Sequence, residues 1–209
     1  MKVSIIIPVK DRPENTKKLL DDLTRQKEEY PQTEIICIEN GSVEDMSFLE
    51  EYGDKIILRH NYKPGIFCAY NTAFKIAKGN YICFIDNDDW VPEYYLRVIY
   101  ENIVTKKDWY VWKWYSDQTA VTMEGLDLTN PLKLNWAMWG YCIKRSLFKG
   151  ITFNEDMFTG DDVRVMFQII PGTNGAFIPE FMYFFKWYGN DDSASHIWNR
   201  EHDPIRPEV

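Results

Sequence analysis

The run Val3-Ser4-Ile5-Ile6-Ile7-Pro8-Val9 constrains this chain more than any other feature. It is β-branched and nearly continuous in apolar character, without the in/out alternation of a half-solvated strand. It therefore reads as a central strand covered on both faces, as parallel sheets flanked by helices require. The blocks that follow alternate in the same sense. Asp11 with Glu14 three residues on, and Pro13 in the first turn, marks a helix start, and Leu19, Leu20 and Leu23 carry helical spacing to about Lys27. Strands are predicted at 34–38, 55–58 and 81–85, a short helix at 45–52, and a longer helix at 65–78 that offers Phe67, Ala69, Tyr70, Ala73, Phe74 and Ala77 for packing. The βαβ order gives an α/β fold with a Rossmann-like, mostly parallel central sheet flanked by helices.

From Trp90 the pattern changes. A helix is predicted at 92–104 and an aromatic strand at 109–115, one face of which is core. Less periodic sequence then leads through 136–143 to Gly160-Asp161-Asp162 and a helix ending near 170. A strand pair at 176–178 and 181–187 precedes a tail with Pro204 and Pro207, expected to be poorly ordered. With 209 residues, 45% of them hydrophobic, the whole of 1–209 suits a single domain with a smaller second lobe. The formal charge of −8 speaks against a nucleic-acid partner, since phosphate-backbone binders carry a basic footprint. No apolar stretch approaches the roughly 18 residues of a membrane span, and the first apolar run is too short for a secretion signal. Peripheral membrane association stays open, and the oligomeric state is not legible. Cys37, Cys68, Cys83 and Cys142 stand singly, mostly within apolar segments, which suits buried free thiols and a reducing, cytoplasmic location.

Open α/β sheets bind ligands at the carboxyl ends of their strands, which singles out Pro8, Lys10 and Asp11, then Glu39 and Asn40, then Asp86, Asp88 and Asp89. Neither glycine-rich phosphate fingerprint is present, so phosphate has to be neutralised another way. Asp86 and Asp88, two apart on an extended segment, suit one hard divalent cation that bridges a diphosphate. Trp90 and Val91 exclude a calcium loop. Taken alone, the acidic cluster reads as a solvated loop ahead of a metal site.

The order of the pieces carries more. Val3 to Val9, Glu39-Asn40-Gly41-Ser42, Ala77-Lys78-Gly79-Asn80-Tyr81 running into Asp86-Asn87-Asp88-Asp89, and Gly160-Asp161-Asp162 together resemble the family-two inverting glycosyltransferases of GT-A fold, over about residues 2–195. Arg145-Ser146-Leu147-Phe148 and Phe153-Asn154-Glu155 resemble the segment before that family's acidic pair. The resemblance implies a metal-dependent transfer of a sugar from a nucleoside-diphosphate sugar, with UDP-sugar favoured, to a hydroxyl of a carbohydrate or glycan-like acceptor. It implies a nucleotide-binding half at 1–89 and an acceptor-binding half at 90–209. Asp88, helped by Asp86, would hold Mn²⁺ or Mg²⁺. Pro8, Lys10, Asp11, Glu39, Asn40, Asn71, Asp86 and Asn87 would line the donor site, and Asp162 would be the base. Trp136, Trp139, Tyr141 and Asp161 are the acceptor-side candidates.

Each assignment has a plainer counterpart. Asp161 and Asp162 equally suit a helix cap, and the aromatic residues equally suit core between the lobes. The chain also departs from the family pattern. Lys10 stands where relatives often have Tyr, Asn40 where they have a second Asp, and Tyr70 where an Arg would touch phosphate. Asn190 stands where many have His, and His196, near enough in sequence to replace it, reads first as a surface residue. Two other classes stay open. A sugar nucleotidyltransferase would need a Gly-rich basic loop after the first strand, which Lys10-Asp11-Arg12-Pro13 does not supply, and a non-catalytic carbohydrate- or nucleotide-binding relative would tolerate the departures.

Overall fold

A computed structural model describes residues 1–61, 63–116, 120–121 and 137–186. Trp136, Asn190, His196 and the proline-bearing tail lie outside the described residues. The run that opens the sequence is strand β1, Val3–Val9, buried along its whole length. Its side chains divide between two layers. Val3, Ile5, Ile7 and Val9 pack with Leu19, Leu20 and Leu23 of helix α1 (Pro13–Glu29) and Leu96, Val98 and Ile99 of helix α3 (Tyr95–Ile103). Ile6 packs on the other side, with Phe67, Ala69 and Tyr70 of helix α2 (Ile66–Ile76) and Val165 and Met166 of helix α4 (Asp161–Ile169). A strand with no solvated face and helices on both sides is the α/β arrangement its composition dictates.

Strands β2 (Glu34–Glu39), β3 (Ile57–His60) and β4 (Tyr81–Phe84) run parallel to β1 in the order β3-β2-β1-β4. Beyond β4 the sheet turns mixed. Strand β7 (Tyr141–Lys144) is antiparallel both to β4 and to β5 (Trp109–Ser116), the short β6 (Ala120–Val121) pairs β5, and β8 (Gly175–Phe185) lies parallel to β5. One hydrogen-bonded sheet thus runs through both sequence halves. The chain leaves β1 toward β2 on one side and has β4 on the other, so the switch point where such sheets open a ligand crevice lies at the carboxyl ends of β1 and β4.

Three expectations change. The pair at 176–178 and 181–187 is one strand: Trp112 pairs with Ile178 and Lys113 with Phe181, so Pro179 and Glu180 bulge out of the ladder, where a missing N–H costs nothing. Strand β5 is core on both faces rather than one, because Trp109 and Val111 enter the α2/α4 layer while Tyr110 and Trp112 enter the α1/α3 layer. Asp11 does not cap α1. Arg12 is the residue before the helix, with left-handed φ of 58° and no side-chain cap, and Asp11 is left-handed too, with φ of 55°. All four cysteines are free and buried. No helix among the described residues is long and apolar enough to cross a membrane.

Candidate active site

Two consecutive non-glycine residues in left-handed conformation are costly, and something must hold them. Asn87 does. Its Nδ2 donates to the Asp11 carbonyl at 2.9 Å, to Thr16 Oγ1 at 2.8 Å and more distantly to the Lys10 carbonyl. The side chain of Asp11 turns the other way. Its Oδ1 accepts from the N–H groups of Val43 (2.6 Å) and Glu44 (3.0 Å), while its own N–H donates to Ser42 Oγ. Glu39 accepts from Ser42 N–H at 2.7 Å and meets His60 at 3.3 Å, and Asn40 Oδ1 accepts from Asn61 at 3.4 Å. The segments after β1, β2 and β4 are in this way knotted together at one edge. Pro8 is buried in β1 and Lys10 is exposed.

Inside that knot lie the carboxylates of Asp86, Asp88 and Asp89, with one oxygen of each within 4.8 Å of the others. Asp89 is fully engaged: Oδ2 accepts from the Tyr183 hydroxyl at 2.8 Å and Oδ1 from Lys186 N–H at 2.8 Å. Tyr183 also accepts from Asp86 N–H at 3.1 Å, so β8 grips the acidic loop from below. Asp88 meets the Arg12 guanidinium at 3.7 Å. Asp86 is different, since its Oδ1 is sealed from solvent and has no hydrogen-bond partner among the described residues. Burial pushes its carboxyl up to about 8, with repulsion from Asp88 and then Asp162 adding to this and Arg12 opposing it. A buried, unpartnered carboxylate oxygen beside a second carboxylate is a donor set that suits a hard divalent cation.

The second acidic pair divides its work. Asp161 is wholly buried; Oδ2 accepts from Asn154 N–H at 2.7 Å and from Arg164 Nη2 at 2.9 Å, and Oδ1 from Arg164 Nε at 2.5 Å. That leaves it no place on an acceptor face. Asp162, in the first turn of α4 after the left-handed Gly160, is half-buried, and burial raises its pKa against the pull of the Val163 and Asp162 N–H groups. It stands near enough to Asp86 for each to bear on the buried Tyr70 hydroxyl, which burial and then these two charges push far up.

Several sequence-derived candidates prove to be supports. Asn71 spends its amide on the Phe153 backbone (2.9 and 3.0 Å) and on Glu155 Oε1 (2.9 Å), which fastens the loop leading to Asp161 and Asp162. Asn87 braces the turn described above. Tyr141 is fully buried against Trp109, in the layer that holds the packed faces of α2 and α4, so it is core and not an acceptor wall. Trp139 stacks on Tyr183 at 4.5 Å and remains partly open, while Trp136 falls outside the described residues. Two residues were missed. Arg12 had a signal, as a cation in a strand-end tripeptide, whereas Tyr183 had none, being 94 residues from the Asp89 it holds.

Comparison with known proteins agrees with the fold. The family model Glycosyl transferase family 2 matches residues 4–163. The chain belongs to that family. It is 38% identical over 100 residues to poly(ribitol-phosphate) beta-glucosyltransferase of Bacillus spizizenii, a stretch that is 44% of this chain and 15% of that one. Among solved structures, TarS of S. aureus in complex with UDP-GlcNAc superposes with a TM-score of 0.81 at 19% identity, over 91% of this chain and 60% of TarS. The mannosyltransferase PcManGT from Pyrobaculum calidifontis, in complex with GDP-Man and Mn²⁺, gives 0.70 at 17% identity, over 88% and 56%. The fold of this family-2 chain is therefore GT-A. The chain spans less than two thirds of the length of each of these relatives.

Proposed function

We propose that the protein is a metal-dependent inverting glycosyltransferase that moves a sugar from a nucleoside-diphosphate sugar, UDP-sugar before others, to a hydroxyl of a carbohydrate or glycan-like acceptor. The observation that carries the reading is the sealed, unpartnered Asp86 Oδ1 beside Asp88 at the end of β4, in a family-2 chain. Asp86 and Asp88 would hold Mn²⁺ or Mg²⁺. The ion would supply stabilisation of negative charge on the departing diphosphate.

This chain's own residues do the rest. Residues 1–89 bind the nucleotide: Pro8, Lys10, Glu39 and Asn40 surround the base, Asn40 accepts from it through a neutral carbonyl, and Asp11 and Asn87 hold the turns in place. Arg12 lies beside Asp88 and supplies the phosphate-facing cation that Tyr70 does not. Asp162 takes the acceptor proton, because burial raises its basicity while the helix N-terminus keeps it ionised. Trp139, half-buried and stacked on Tyr183, flanks the acceptor within the half that begins at residue 90. Free buried thiols support a reducing, cytoplasmic setting.

Calorimetry with uridine, guanosine and thymidine nucleotides, with and without Mn²⁺, tests the reading. Metal-dependent diphosphate binding, with free diphosphate released from a sugar donor, is the expected result. A preference for triphosphates would indicate a nucleotidyltransferase, and sugar binding without nucleotide a binding module; either would replace the proposal.

A further inference from the structure

We propose a second ligand site at the opposite, amino edge of the sheet, for a phosphorylated molecule with an apolar body. A cavity of about 590 Å³ opens there, within the range of sites for small organic ligands. Four cationic residues line it, Lys106, Lys144, Arg145 and Lys149, and no carboxylate does among the described residues. In a chain of net charge −8 that local excess runs against the average.

Only part of the excess is cancelled. Lys144 pairs with Asp108 at 2.9 Å, and Arg145 is fixed by Nε donating to the Gly79 carbonyl at 2.7 Å, which leaves the outer edge of its fork for a ligand. Lys106 and Lys149 are exposed and have no acidic partner among the described residues. Like charges around one hollow repel, and an anion in the hollow relieves that repulsion. A guanidinium fork flanked by ammonium groups matches the several oxygens of a phosphate better than the two of a carboxylate. Phe74 and Phe148, whose rings lie 4.6 Å apart, and Ile151 supply an apolar wall for the rest of the molecule. The donor site does not share this ligand, since β1, at roughly 3.3 Å per residue, separates the two edges by about 20 Å.

The test is calorimetry with octyl phosphate, below its micelle concentration, on the wild type and on Lys106→Gln/Lys149→Gln. Lys17→Gln/Lys55→Gln, which removes the same charge from exposed positions elsewhere, is the control. Octyl phosphate binds the wild type more tightly than inorganic phosphate does, affinity falls about tenfold in the cavity variant, and the control is unchanged. Co-sedimentation with phosphatidylcholine vesicles, with or without phosphatidic acid, separates the sources. Capture by the anionic vesicles that the cavity variant loses identifies a lipid phosphate, and binding of the free ester without capture identifies a soluble one. Failure of octyl phosphate to bind, binding no tighter than inorganic phosphate, or equal weakening in the control overturns the proposal.

Discussion

Two acids at opposite edges of the same sheet, each with a buried carboxylate oxygen, are built in opposite ways. At the amino edge, Glu34 Oε1 accepts from Ser4 Oγ and from the N–H groups of Lys78 and Gly79, and Oε2 pairs with Lys2 at 2.7 Å. Burial pushes its carboxyl up, but Lys2, Ser4 and Lys78 together outweigh this and its pKa ends below the usual value. Gly79 is required there, since a Cβ would lie 2.5 Å from the Ser4 backbone nitrogen. At the carboxyl edge, Asp86 keeps an unpartnered oxygen and a pKa of about 8. One edge satisfies its charge and gains stability; the other leaves bonding capacity unspent, which costs stability and is available to a ligand.

The contrast recurs within Asp161-Asp162, and there the largest effect is expected. Asp162→Asn should lower turnover by about 10²- to 10⁴-fold with donor affinity nearly unchanged, as removal of a positioned base does. Asp161→Asn should instead lower the melting temperature, because it loosens the bonds to Arg164 and Asn154. Steady-state kinetics and thermal melts on both variants decide. An Asp162→Asn enzyme that keeps its turnover would make this carboxylate a cap.

Next in size is Glu34→Gln, which should cost about 1–3 kcal/mol in urea denaturation, since an amide cannot accept all the donors gathered on this carboxylate. The sign with pH follows from the depressed pKa. The contribution of Glu34 is full above the ordinary Glu value of about 4.3 and is lost as pH falls through the lower folded value, so wild type and variant should converge in acid. Parallel curves down to low pH would show that the charge is not what stabilises this edge.

What the sequence made legible follows from the range of the forces involved. Strand β1 matched its expected bounds because continuous β-branched burial is written locally, and α2 lost only its end residues. The carboxyl-edge acids were legible because strand ends are. Long-range bonding was not. Nothing near Asn71 or Asn87 announces that their amides are consumed by Phe153 and Asp11, and nothing near Pro179 distinguishes a bulge from a turn until β5 lies alongside. Asp11 and Glu14 spell a capping box, yet tertiary donors from Val43 and Glu44 took the carboxylate.

A smaller effect sharpens the contrast from the unsatisfied side. Asp86 binds its proton more tightly folded than unfolded, so metal-free stability should fall as pH rises from about 4 towards 8. Asp86→Asn should remove that slope and raise metal-free stability near neutral pH by about 1 kcal/mol, while abolishing the Mn²⁺ dependence of nucleoside-diphosphate binding. Thermal melts across pH without metal are the measurement. A variant less stable than wild type at pH 7 would mean that Asp86 is satisfied after all, and the contrast with Glu34 would fail.

The smallest effect concerns Asn40, a buried amide at the carboxyl edge whose Oδ1 accepts from Asn61. Asn40→Asp changes no shape, but it exchanges a neutral acceptor for a charged one. A charged acceptor bonds a base N–H about twice as strongly, and burial of the charge without a cation takes back much of that gain. The net expectation is a few-fold tighter uridine diphosphate binding together with a slightly less stable unliganded protein. Both arise because the new carboxylate, like Asp86, has bonding capacity that the fold does not fill. Guanosine diphosphate should gain nothing if position 40 meets the uracil imide. Displacement titrations with both nucleotides, beside melts of the free variant, test the two halves separately. A gain for both nucleotides alike would place residue 40 away from the base, and a more stable free variant would mean that this edge, too, satisfies the charges it buries.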